Sequence, residues 1–467
     1  MSGRVRAALA DGRSRVTRTR LRFAVVIVVV LSGAFLAVSA SESISTATEA
    51  DVPRAPEAQN HTVVTESGRA GTITVYGPGG DVAYYNNSRT KYFDADPVEG
   101  EPMTIEYAAT DTIHSAGPTC SDPPCALNVI ERIDLTEDDP QPAVVYERYD
   151  YKETAGEWHD STRINETHVA IADIVADQVF VVDTETEIVE WLWDAQTEFP
   201  VEGGGPYPVD WAHINDVEYV DAPGDPNDGR IVASLRNQDQ VVFLDPGTGL
   251  VDEWTLGSED DHDVQFEQHN PDYIPESRGG PALLVADSEN GRVQEFQRED
   301  GEWVRSWQWA DDRIQWPRDA DRLPNGNTLI ADSHGQRVFE VDRSGEIVWS
   351  VPSTLPYEAE RLETGAESAG GTSAAELGLE SRTAADETDD GPLIDPLGLG
   401  DRVLQWLLPH RFYNGLLFAT PAWMGGGEFA VLGVAVLSTL AWAGLEIRWR
   451  LHDADVRFRS PIYRGGD

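Results

Sequence analysis

Three histidines and an arginine stand where a strand-rich chain has little structural need of them. His213 falls in "DWAHINDVEYV" (210–220), just ahead of the alternating Val217 and Tyr219. Arg236 closes the strand pattern in "RIVASLRNQDQVVFLD" (230–245), while His269 lies in "EQHNPDYI" and His159 in "WHDSTRI". Residues of these types suit the transfer of an anionic group. A guanidinium never loses its charge and offers a planar fork of donors to an oxyanion. An imidazole titrates near neutrality, so it serves as nucleophile, acid or base. A lone histidine at a strand start is more often a hydrogen-bonded structural group, and His61, His114, His168, His262, His334, His410 and His452 are read that way.

The elements that position this set repeat. "VFVVDTETEIVEWLW" (179–193), "VVFLDPGTGLVDEWTL" (241–256), "VQEFQREDGEWVRSWQW" (293–309) and "VFEVDRSGEIVWSV" (338–351) each read as strand, turn, then a strand ending at or near tryptophan. A companion strand precedes each ("VAIADIVADQ", "IVASLRNQDQ", "LLVADSENGR", "TLIADSHGQR"), and a lead-in strand precedes that. Four strands per unit of roughly 40 to 50 residues is the period of a β-propeller blade. With 127–151 as a fifth unit and 72–86 in a degenerate first one, residues 61–353 predict an all-β, six-bladed propeller closed by both ends of the repeat. Trp191, Trp193, Trp254 and Trp349 read as core packing, and Asp287 and Asp332 as turn acceptors.

In register, one column of the lead-in strands holds His159, Asn215, His269 and Arg318; the next holds Asp160, Asp216, Asn270 and Asp319. Ser234 and Arg236 share a face of their strand, and His213 precedes its column by two residues, on the same face. Side chains from successive blades are therefore expected to converge on one end of the central channel, a usual place for a ligand.

The chain carries 82 acidic against 35 basic residues, a net charge of −47, and only two lysines, Lys91 and Lys152. With 40% hydrophobic content and 14 tryptophans it is no disordered polyanion. The balance points to a surface suited to molar salt, as in halophilic archaea, where self-repulsion is screened within a few ångströms. No basic face exists for nucleic acid. Arginines fill 1–22, a basic cytoplasmic terminus by the positive-inside rule, and the apolar run 23–40 that follows reads as a transmembrane helix or signal anchor. A stalk is expected over 41–60, an acidic flexible tether over 354–401, an interfacial amphipathic helix over 402–423, a second transmembrane helix over 429–447 and a basic cytoplasmic tail over 448–467. That topology puts the propeller outside the cell, where Cys120 and Cys125 of "CSDPPC" are expected to pair.

The motifs "DWAHIND", "ASLRNQDQVVFLD", "EQHNPDYI" and "RLPNGNTLIADS" resemble the PAPS-independent arylsulfate sulfotransferases over most of 158–353. The resemblance implies a six-bladed propeller that moves a sulfuryl group from an aryl sulfate donor to a phenolic acceptor without a cofactor or metal. It implies His269 as the histidine that becomes sulfated and Arg236 as the sulfuryl-binding arginine. His213, when protonated, would hold oxygen charge or give a proton to the departing phenolate, and His159 would deprotonate the acceptor. Asn215, Ser234, Asn270 and Arg318 complete the expected substrate contacts. The short 41–60 segment leaves no room for the N-terminal β-sandwich of bacterial periplasmic members. Two other readings stand beside this one: a non-catalytic cell-surface propeller that binds a ligand or scaffolds proteins, and a calcium-dependent lactonase-type hydrolase.

Overall fold

The computed structural model describes residues 3–41, 48–68, 71–150, 156–311, 313–383, 404, 407–421 and 423–454. The chain divides into two units, 44–389 and a second made of 1–43 with 390–467.

The larger unit is a six-bladed β-propeller of antiparallel sheets. β1 (Thr62–Glu66), β2 (Ile73–Tyr76) and β3 (Val82–Asn86) open the first blade. The second holds β4 (Lys91–Val98), β5 (Glu101–Ile113), β6 (Cys125–Asp134) and β7 (Ala143–Asp150); the third, β8 (Trp158–Arg163), β9 (His168–Asp173), β10 (Gln178–Asp183) and β11 (Ile188–Asp194). The fourth holds β12 (Ile214–Tyr219), β13 (Ile231–Leu235) and β14 (Gln240–Asp245), with β15 (Gly249–Leu250) and β16 (Leu256–Gly257) both pairing β14. The fifth is β17 (His269–Ile274), β18 (Ala282–Asp287), β19 (Arg292–Glu299) and β20 (Glu302–Trp309), and the sixth β21 (Pro317–Arg322), β22 (Thr328–Asp332), β23 (Arg337–Val341) and β24 (Ile347–Pro352). β25 (Pro356–Arg361) then returns to pair with β1, so the first blade draws its innermost strand from the far end of the repeat. Closure by both ends removes the open edge that a linear stack of sheets would leave.

The innermost strands β4, β8, β12, β17, β21 and β25 form a closed ring around the channel. Their carboxylates tie neighbouring blades together by accepting from backbone N–H groups. Asp94 accepts from Ser161 (3.2 Å), Asp160 from Val217 (3.3 Å), Glu218 from Tyr273 (2.7 Å), Asp319 from Ala359 (2.9 Å) and Glu358 from Ala95 (2.9 Å). Each bond satisfies a buried amide that its own sheet leaves free. Asp160 and Asp319, from the second polar column, are thus spent on holding the ring closed. Asp287 and Asp332 accept backbone N–H groups of the sequence-distant Phe266 (2.8 Å) and Gln315 (2.7 Å) and pair with Arg292 and Arg337, and Asp332 also accepts the turn N–H of Gly335 (3.3 Å). Trp193 and Trp349 are buried in blade cores, with Trp191 and Trp254 packed half-buried against them. Cys120 and Cys125 are disulfide-bonded.

Two expected boundaries move. The tether expected from 354 is bound to the propeller through 383. β25 is buried along its whole length; α2 (Ala374–Leu377) starts where the Ala374 N–H meets Glu295 (2.6 Å), and Arg382 exchanges backbone bonds with Gln308 and Ala310. The segment is polar, as the sequence says, but it orders by hydrogen-bonding to a finished surface and needs no core of its own. Residues 384–401 lie outside the described residues. Likewise 55–58 of the expected stalk lies along the first and sixth blades, with Ala55 and Ala58 bonded to Gly80 and Pro78 and Pro56 accepting from Trp349 (3.0 Å).

In the smaller unit, α1 (Gly3–Ser41) makes the basic terminus and first apolar run one continuous helix. α3 (His410–Ala419) covers the middle of the expected interfacial helix, and α4 (Gly426–Asp453) carries the second apolar run. Among the described residues, Arg18–Ser41 and Gly426–Asp453 are long and apolar enough to cross a membrane. They pair antiparallel: Arg18 meets Asp453 at one end (2.7 Å) and Ser39 meets Glu428 at the other (2.9 Å). Residues 455–467 of the basic tail lie outside the described residues.

Candidate active site

Each innermost strand begins with an irregularity that aims side chains into the channel mouth. Pairing slips past His159 between Trp158 and Asp160, past Asn215 between Ile214 and Asp216, and past Arg318 between Pro317 and Asp319. In the fifth blade the slip lies between His269 and Asp272. A bulge of this kind turns a side chain out of the plain alternation. His213, Trp316 and Leu355 immediately precede three of these strands with left-handed backbone, φ 52°, 62° and 58°. Leu355 shares that conformation, so it belongs to the blade turn and is no sign of catalysis at His213.

Ring contacts join the three histidines through Tyr357 of β25. His159 lies 5.1 Å from His213 and 5.4 Å from Tyr357, and Tyr357 lies 6.2 Å from His269, centroid to centroid. Phe93 stacks on His159 at 4.5 Å and Trp316 meets His269 at 5.6 Å. Arg236 joins from the fourth blade, its Nη1 3.2 Å from His213 Nε2 and its Nη2 3.5 Å from Glu267. His159, His213, His269, Arg236 and Arg318 therefore come together at one end of the channel, as the columns predict.

Hydrogen-bond partners assign the protons. Nδ1 of His269 faces Ser288 Oγ at 2.8 Å and the Glu267 carbonyl at 3.2 Å. The carbonyl only accepts, and the serine hydroxyl is already donated to the Pro317 carbonyl (2.6 Å). Nδ1 must therefore carry the hydrogen, which leaves the lone pair on Nε2. Nε2 of His159 faces the Glu157 carboxylate at 3.4 Å, so its lone pair is on Nδ1, which is buried without a partner. Nδ1 of His213 donates to Asp210 at 2.5 Å, and its Nε2 accepts from Arg236. All three imidazoles are held neutral. Burial lowers each pKa; Arg236 helps bring His213 down to about 3, and Arg318 and Arg236 add to the fall at His269. At neutral pH His213 therefore lacks the charge on which its conditional leaving-group role depends, because its site is buried beside a cation. Burial would raise the Glu157 carboxyl, but His159 and Lys91 hold it below its ordinary value.

Arg318 is the outlying cation. Burial lowers its pKa to about 10, still charged at neutral pH, and it has no carboxylate within salt-bridge reach among the described residues. Its guanidinium rests over Trp316 (4.5 Å) and Tyr357 (5.1 Å) and donates to Ser67 (2.7 Å), while its Nε is buried and unpartnered. Among the other expected contacts, Asn215 donates to the Gln268 carbonyl (3.0 Å) and Ser234 accepts from Gln268 (3.1 Å), both fully buried, so they brace the neighbouring strand. Asn270 is buried with both ends of its amide unpartnered.

Sequence reasoning missed Tyr357, Trp316, Phe93, Ser288, Glu157 and His334. Tyr357 lay inside the stretch read as tether. Ser288 had a visible signal, since the "ADS" tripeptide recurs at 286–288 and 331–333. His334, read as structural, stacks on Trp316 at 4.3 Å with both ring nitrogens buried and unpartnered.

Residues 159–312 match the model of the arylsulfotransferase (ASST) family. That third of the chain holds His159, His213, Arg236 and His269 and stops short of Arg318 and Tyr357. No curated protein matches the chain. Among solved structures, it is similar to a Bacteroides caccae protein of unknown function (11% identity, TM-score 0.44, covering 66% of this chain and 100% of that one). It is also similar to a putative 6-phosphogluconolactonase from Bacteroides fragilis (11%, 0.41, 65% and 98%) and a periplasmic gluconolactonase from Pseudomonas aeruginosa (14%, 0.39, 65% and 99%).

Proposed function

We propose that this protein transfers a sulfuryl group from an aryl sulfate to a phenol through a sulfohistidine at His269. The carrying observation is a neutral His269 imidazole with its lone pair on Nε2, under the electrostatic influence of Arg318 and Arg236 in a protein of net charge −47. Nε2 attacks sulfur, an N–S bond forms, and the S–O bond to the aryl group breaks with its electron pair leaving on the phenolate. Arg236 and Arg318 hold the sulfuryl oxygens, and positioning with charge stabilisation supplies most of the rate, as in phosphoryl transfer. Nδ1 of His159 then takes the proton of the acceptor hydroxyl, whose oxygen attacks sulfur and restores His269. His213, neutral between Asp210 and Arg236, orients the guanidinium. Phe93, Trp316 and Tyr357 offer the aryl rings aromatic surface.

The chain is further proposed to be anchored by both apolar helices with the propeller on the extracellular side and both termini cytoplasmic. The arginine clusters, the antiparallel pairing of α1 with α4 and the disulfide support this reading. The test is nitrophenol release from p-nitrophenyl sulfate by the full chain, with and without a phenol, in molar KCl. Acceptor-dependent release that His269→Ala abolishes is expected. Absence of turnover with retained aryl sulfate binding would instead indicate a binding protein.

A further inference from the structure

A second polar centre lies further along the same channel, and the transfer chemistry does not use it. Asp272 of β17, Asp319 and Asp321 of β21, and Glu367 each place one carboxylate oxygen within 4.8 Å of the others. Asp319 and Asp321 are at most 1% exposed, and Asp272 2%. Two of the four have other work: Asp319 ties β21 to β25, and Asp272 accepts the Ser368 hydroxyl. Asp321 has none. Fully buried, it accepts no hydrogen bond among the described residues, yet it puts an oxygen among the other three. Asp319 keeps its second oxygen, Oδ1, unpartnered as well. A buried polar atom without a partner is costly, more so when charged, so four converging carboxylates are not explained by the fold.

Glu367 connects this centre with solvent. It takes left-handed backbone (φ 49°), bonds its N–H to Glu360 (3.0 Å), and lines a cavity of about 1280 Å³. Asp96, Glu106, Glu218 and Glu363 also line that cavity, where carboxylates outnumber the three arginines Arg132, Arg163 and Arg278. Such a funnel concentrates cations and repels anionic substrates.

We propose that Asp272, Asp319, Asp321 and Glu367 bind one calcium-type divalent cation in the channel, loaded through the acidic cavity. Carboxylates alone, with no nitrogen or sulfur donor in the set, suit a hard cation. The ion would tie β17 and β21 to the 362–371 segment, fastening the closing end of the propeller at its centre.

The full chain, stripped with EGTA and then passed through gel filtration in CaCl2 at fixed KCl, is expected to hold about one calcium per chain by elemental analysis. Its thermal midpoint is expected to rise by several degrees. Asp321→Asn removes no hydrogen bond, so it should fold, lose the bound calcium and lose the calcium-dependent rise. Glu367→Gln, at the cavity side, should do the same. No stoichiometric calcium with identical midpoints in EGTA and CaCl2, or wild-type calcium binding by both variants, would overturn the proposal whatever the sulfuryl-transfer assay shows.

Discussion

Arg236 Nη1 and His213 Nε2 share a hydrogen bond of 3.2 Å whose direction fixes the charge of the histidine. A guanidinium only donates, so Nε2 is unprotonated, while Nδ1 gives its hydrogen to Asp210. The cation thereby reaches the channel mouth on a neutral spacer, with Asp210 behind it as counter-charge.

This arrangement makes the fold sensitive to acid. The folded pKa of His213 is about 3 against an ordinary 6.5, so the unfolded chain binds the extra proton between those values. Stability from the neutral ring is whole above pH 6.5 and declines as pH falls toward 3. The stability difference between wild type and His213→Asn should therefore shrink by roughly 1 kcal/mol per pH unit below 6.5. Guanidinium unfolding of both proteins at pH 7.5, 6 and 5 checks this; a constant difference would mean that the ring titrates in the fold as it does in the unfolded chain, with no depressed pKa.

Ser288 acts on the proposed nucleophile without touching substrate. Its hydroxyl is donated to Pro317, which turns an acceptor lone pair toward His269 Nδ1. In Ser288→Ala the imidazole keeps only the 3.2 Å contact to the Glu267 carbonyl. Losing one hydrogen bond of about 1 kcal/mol predicts a five- to tenfold lower kcat with the donor KM little changed. Steady-state kinetics on p-nitrophenyl sulfate separate the two; a rise in KM alone would give Ser288 a binding role instead.

The propeller was legible because its blades repeat, and a repeat exposes the positions that break it. His159, His213, His269, Arg236 and Arg318 stood out in this way. What stayed hidden has physical causes. Tyr357 belongs to the one innermost strand with no companion beside it in sequence, since its sheet partner β1 lies nearly three hundred residues earlier. The proton assignments depend on a carbonyl and a hydroxyl from other strands, which no local pattern encodes. Asp160 and Asp319 stood out only as members of a polar column, and it takes the ring of neighbours to show them bonded to backbone amides.

Arg318 sets stability against function. A buried guanidinium with aromatic neighbours and, among the described residues, no carboxylate within salt-bridge reach is costly, and an apolar replacement of similar length removes that cost. Arg318→Met is expected to raise the thermal midpoint by a few degrees while lowering donor turnover by about 10²–10³-fold, as loss of a charge-stabilising donor does elsewhere. Calorimetry and initial rates on the same preparation give both numbers. A variant that loses stability along with activity would show that Arg318 is a structural cation.

The closing strand makes the sharpest claim about where the folded unit ends. Removing β25 takes away its pairing with β1, the buried Tyr357 and the Glu358 bond to Ala95. Burial of a large side chain in a packed core accounts for about 3–5 kcal/mol by itself, against a total stability of about 5–15 kcal/mol for a domain. A chain spanning 44–383 should therefore melt cooperatively, whereas one spanning 44–354 should lack fixed aromatic packing. Near-ultraviolet circular dichroism distinguishes them, because Phe93, His159 and Tyr357 pack on one another only when the ring is closed. Equal spectra from the two chains would return 356–383 to the status of a tether and leave the first blade with three strands.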